Sequence, residues 1–89
     1  MAETPDQQFP EASLRQHVFD MAQQVAIALG EIDNPVTRQR ENNPQAARYI
    51  IDVISMLQDK TSGNCTDEES GYLSGVVAGL KTLYVQKTA

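Results

Sequence analysis

One cysteine, Cys65, cannot close a disulfide within the chain. That excludes the small secreted scaffolds held by several bridges and suits a reducing compartment, so the chain is expected in the cytoplasm. One histidine, His17, has no His or Cys partner at a ligand-like spacing. No structural metal and no cofactor are therefore expected. Basic residues are few, seven against twelve acidic ones, for a formal net charge of −5. A nucleic-acid surface needs clustered Lys and Arg to replace phosphate counterions, whereas here they are scattered from Arg15 to Lys87. No apolar run approaches the roughly 20 residues of a membrane span. The opening M-A-E-T-P-D-Q-Q is acidic and polar, unlike a secretory signal. Neither a glycine-rich phosphate loop nor a Ser–His–acid or Cys–His arrangement is visible, so no catalytic activity is expected.

A length of 89 residues allows one small domain with a thin margin of stability. With disulfides and metals set aside, oligomerisation is the remaining reinforcement. Residues 1–12 contain Pro5 and Pro10 and little apolar content, and read as a flexible tail with Phe9 as its anchor.

Three helices are predicted, over about 14–29, 44–60 and 67–86. Ser13 with Gln16 fits a capping box before the first. Leu14, Val18, Met21, Val25 and Ala28 form one apolar stripe along it, and Gly30 ends it. The following G-E-I-D-N-P-V-T has turn chemistry, and residues 31–42 read as a polar connection. The second helix opens at Asn43-Pro44, an N-cap followed by proline at the first helical position. Its apolar residues, among them Tyr49, Ile51 and Met56, spread over roughly 220° of circumference, about twice the stripe of a surface helix. This helix is expected in the middle, covered on more than one side. Gly63 is expected to cap its end, and Thr66 with Glu69 makes a capping box for the third helix. Asp67 and Glu68 in that first turn favour the positive end of the helix dipole.

The third helix predicts a core face of Tyr72, Leu73, Val76, Val77, Leu80, Leu83 and Tyr84. Its opposite face carries Gly71, Gly75 and Gly79 at every fourth position, with Ser74, Ala78 and Thr82 beside them. Each mid-helix glycine costs about 1 kcal/mol relative to alanine. Small residues at this spacing permit close approach of two helix backbones, a logic best documented in membranes. Either the glycines are tolerated on a solvated face, or two helices meet closely here; a close contact between subunits is expected.

Other single residues carry less. His17 reads as a boundary or surface histidine rather than a general base. Cys65 precedes a helix N-terminus, but the neighbouring carboxylates favour the neutral thiol, so a packed, inert side chain is expected. Asp67, Glu68 and Glu69 lack the alternating oxygen ligands of a calcium loop, and capping accounts for them. Arg48 and Asp52 allow an exposed i,i+4 pair, or a reach of Arg48 toward Glu31 or Asp33.

Three pieces of the sequence carry a family resemblance. They are L-G-E-I-D-N-P-V-T (Leu29 to Thr37), A-A-R-Y-I-I-D-V-I-S-M-L-Q-D-K-T (Ala46 to Thr61) and G-N-C-T-D-E-E (Gly63 to Glu69). In their order and spacing, from Phe19 to Val85, the chain resembles a bacterial family catalogued only as domain of unknown function 1844. The resemblance implies a small, all-helical cytoplasmic protein and brings no catalytic or ligand-binding residues with it. Cys65 stands where that family usually has leucine, and Gly71, Gly75 and Gly79 where it usually has larger residues.

The expectation is an all-α three-helix bundle, completed by oligomerisation, as a symmetric dimer is the commonest solution. Its function is expected to be non-catalytic interaction, with itself or with other protein subunits, and without nucleic acid or membrane. The candidate interface comprises Gly71, Gly75, Gly79, Ser74, Ala78, Tyr49, Ile51 and Met56. The alternative is a carrier of a small or lipid-like molecule, with Tyr49, Tyr72, Tyr84 and Met56 lining a pocket between helices. An enzyme is the third reading and would have to use His17 or Cys65.

Overall fold

A computed structural model describes residues 9–89. Among them are three helices and no strand: α1 (Leu14–Ala28), α2 (Pro44–Lys60) and α3 (Asp67–Thr88). The fold is an all-α three-helix bundle. Of the expected tail, residues 1–8 lie outside the described residues, and 9–12 are exposed and non-helical. Phe9 is no anchor, because 83% of its surface is open to solvent.

Local chemistry sets each boundary. Ser13 Oγ accepts the Gln16 N–H at 3.0 Å, but the expected reciprocal bond is missing. The Gln16 amide instead donates to Asp20 one turn on, at 3.0 Å, where i,i+4 side chains meet on the solvent face. At the other end, Gly30 takes φ +76°. The Gly30 and Glu31 N–H groups donate to Ile27 and Ala26, the paired bonds of a Schellman motif. Asn43 caps α2 as expected, accepting the Ala46 N–H at 3.2 Å. Its own N–H donates to the Ala28 carbonyl at 2.7 Å, so the start of α2 is bonded to the end of α1.

The end of α2 differs from expectation. Thr61, not Gly63, forms the cap: its backbone N–H and its hydroxyl both donate to the Leu57 carbonyl, at 2.9 and 2.7 Å. Gly63 follows with φ +89° and turns the chain toward α3. There the capping box is complete: Thr66 Oγ1 accepts the Glu69 N–H at 3.1 Å, and the Glu69 carboxylate accepts the Thr66 N–H at 2.9 Å.

The second helix is central, packing extensively against both neighbours, which meet each other less. One buried cluster joins Val18 and Met21 of α1, Ile54 of α2, and Leu73 and Val77 of α3. A second joins Val25, Ala28 and Leu29 to Ala47 and Ile51. Ile50 and Leu80 pack against both clusters, making them continuous. The expected stripe of α1 and core face of α3 both take part in this packing, although only Leu73 and Val77 of α3 are fully buried.

Candidate functional site

The apolar arc of α2 is wider than α1 and α3 can cover. At about 100° per residue, Ala47, Ile51 and Ile54 form one end of it, and all three are buried. Ala46, Ile50, Val53 and Leu57 extend the arc to one side and are half-buried. Tyr49 and Met56, two turns apart beyond them, remain 71% and 45% exposed. They form an uncovered apolar edge. Ile51 is only 4% exposed inside the second cluster and leaves the set of candidate interface residues. Its place at the buried end of the arc packs it with Ala28 of α1 and the following Leu29.

The small-residue face of α3 points away from the bundle. A Cβ built on Gly71, Gly75 or Gly79 meets nothing within 4 Å, so no close helix contact forms there within one chain. Ala78 is exposed beside them, and Ser74 accepts a hydrogen bond from Gln58 of α2 at 2.9 Å. Ser74 therefore belongs partly to the α2–α3 seam.

The polar connection, expected to open with turn chemistry, is a self-bonded loop. The Asn34 side chain organises it: its Oδ1 accepts the Val36 N–H at 2.8 Å, and its amide donates to Glu41. Its backbone bonds Gln39 and Arg38 across the turn, where Arg38 adopts φ +61°. Arg40 donates to Asp33 and to the Gly30 carbonyl, both at 3.0 Å, and Lys87 of α3 reaches Glu31 at 3.5 Å. Arg48 does neither thing expected of it. It pairs with neither Asp52 nor the loop acids; Arg40 and Lys87 hold those instead. The D-N-P-V segment carries the usual signal for such an Asx-type turn, and reading Asn34 as its organiser would have found the loop.

The remaining candidates stay apart. His17 is exposed. Cys65 is half-buried against the first cluster, and its thiol donates to Thr61 Oγ1 at 3.3 Å. Among the described residues, no three His, Cys, Asp or Glu side chains are placed to share a metal ion. Nor does any described helix have the length and apolarity to cross a membrane. The tyrosines expected to share a pocket diverge. Tyr72 lies under the Arg15 guanidinium, 4.7 Å from the ring centroid, in a hollow between α1 and α3. Tyr84 lines a separate furrow between α2 and α3, and Tyr49 is out in solvent. Helical spacing put them on different sides of a bundle whose centre is filled by aliphatic side chains.

Residues 11–86 match the family described as Domain of unknown function (DUF1844). The chain belongs to this family. The match extends beyond the Phe19 to Val85 of the sequence resemblance at both ends and takes in all of α1 and nearly all of α3. No curated protein and no solved structure is significantly similar to the chain. Family membership thus accounts for the whole bundle and assigns no role to its exposed edge.

Proposed function

We propose that this family member is a non-catalytic interaction protein of the cytoplasm, a homo-oligomer or a small subunit of a larger assembly. The observation that carries the reading is the uncovered edge of α2, where Tyr49 and Met56 extend the apolar arc past the reach of α1 and α3. Burying such side chains is worth about 1.5–3 kcal/mol each for those of aliphatic or aromatic size. The core that holds the monomer is small, with ten buried apolar residues among the described residues. A second surface laid on α2 would add substantially to it. The reading also accommodates the open face of Gly71, Gly75 and Gly79, a flat strip against which another helix can lie.

Sedimentation of the full chain over a wide concentration range tests this. A dimer is expected that dissociates in the Tyr49→Asp, Met56→Asp double variant, with helical content unchanged in both. A protein that sediments as a monomer, and whose native mass in extracts of its own cells is also that of a monomer, would remove the proposal.

A further inference from the structure

The furrow between α2 and α3 borders the exposed edge of α2 at Asp52 but is built differently. Arg48, Ile51 and Asp52 line it from α2, and Lys81, Tyr84 and Val85 from α3, around a hollow of about 310 Å³. Ile51 and the half-buried Tyr84 supply an apolar floor. Val85, 64% exposed, extends that floor onto the outer wall. The two cations on the rims, Arg48 and Lys81, form no ion pair with any described carboxylate. Asp52 is the one acid of the lining and is likewise unpaired. Its order relative to Arg48 explains this in part: a helical i,i+4 pair is weaker with the cation N-terminal to the acid. The furrow therefore holds an excess of positive charge beside apolar surface, in a chain whose net charge is −5.

We propose that this furrow docks a segment of a partner protein that presents a carboxylate side chain next to an apolar one. Arg48 and Lys81 receive the carboxylate, and Tyr84 and Val85, backed by the buried Ile51, receive the apolar group. A polypeptide fits better than a small molecule because small-molecule sites enclose most of their ligand, whereas this furrow is half open to solvent. A separate shallow hollow, lined by Lys81, Thr82, Val85 and Gln86, lies on the other side of the Lys81–Val85 wall. The proposal rests on the interaction reading and adds the chemistry of one partner at a second surface.

The test uses the isotope-labelled full chain and a short peptide of glutamate, leucine and serine, with a glutamine-for-glutamate peptide beside it. The glutamate peptide is expected to shift the backbone amides of Arg48, Ile51, Asp52, Lys81, Tyr84 and Val85, less so at high salt. Glutamine in the peptide, or Arg48→Gln with Lys81→Gln in the protein, is expected to weaken binding by roughly fivefold, as two solvent-exposed ion pairs allow. A melting temperature unchanged in that double variant separates lost binding from lost folding. Equal binding of the two peptides, undiminished binding by the double variant, or no shift at the furrow would overturn the proposal. So would the same shifts on concentrating the protein alone, which would make a second copy the occupant. A neutral Tyr49→Ser, Met56→Ser variant, which adds no charge beside Asp52, is expected to lose self-association and keep the peptide. Failure of the two surfaces can thus be told apart.

Discussion

Gly30 stands against the backbone of Glu41 so closely that a Cβ on the glycine would lie 2.7 Å from the Glu41 carbonyl oxygen. The same residue holds φ +76°, a conformation that side chains with a Cβ disfavour. Both constraints meet where α1 ends and the loop to α2 closes over it. The neighbour is main chain and cannot swing aside as a flexible side chain could. Gly30→Ala is therefore expected to destabilise the fold by about 2 kcal/mol or more, measured by urea unfolding.

The glycines of α3 should behave in the opposite way in an isolated chain. Gly71, Gly75 and Gly79 have helical backbone and open space where a Cβ would go. Gly75→Ala is expected to stabilise a monomer by up to about 1 kcal/mol, through lower backbone entropy in the unfolded chain. Where another helix lies against this face, Gly75→Leu is expected to lower both the oligomeric mass and the melting temperature. If Gly75→Leu changes neither, the face is simply solvated.

Asn34 carries more of the loop than any other side chain. Asn34→Ala removes the acceptor for Val36 and the donor to Glu41. Since these bonds are mostly solvent-exposed, the expected loss of global stability is about 1 kcal/mol. Amide exchange across residues 34–41 is expected to speed up more than exchange in the helices. Uniform acceleration throughout the chain would count against an independently ordered loop.

Thr66 ties the start of α3 through a capping box in which its hydroxyl accepts the Glu69 N–H and its own N–H donates to the Glu69 carboxylate. Thr66→Ala is expected to cost about 1 kcal/mol in thermal or chemical unfolding. Ser13→Ala removes one acceptor of the same kind and should cost a similar amount. Glu69→Ala removes the reciprocal carboxylate bond to the Thr66 N–H, and no loss there would mean that this bond contributes nothing.

Arg48→Met distinguishes an exposed rim residue from a structural tie. With no ion pair to Asp52, Glu31 or Asp33, its stability is expected to stay within about 0.5 kcal/mol of the parent. A larger loss in the unfolding free energy would place Arg48 in the framework of the fold.

The helices were legible because their signals are short-range. Ser13, Asn43-Pro44 and Thr66 act on backbone groups within three residues, and the apolar spacing of α1 and α3 repeats turn by turn. Gly63 was misplaced as a cap because Thr61, two residues earlier, satisfies the Leu57 carbonyl through its own hydroxyl. Ile51 and Tyr49 illustrate a harder limit. Both belong to one apolar arc, and periodicity gives their angular positions alike. Which side of that arc meets a neighbour depends on where α1 and α3 settle, and this leaves Ile51 buried and Tyr49 in solvent.

From the chain of residues alone follow the three helices, their caps, the central place of α2 and the family, because these rest on local hydrogen bonding, periodicity and motif order. The tertiary structure decided which apolar residues remain uncovered, which side chains tie the loop, and that Arg48 and Lys81 flank one furrow. Such relations join residues far apart in sequence. They are set by the angles and distances at which helices pack, and no repeat along a single helix records them.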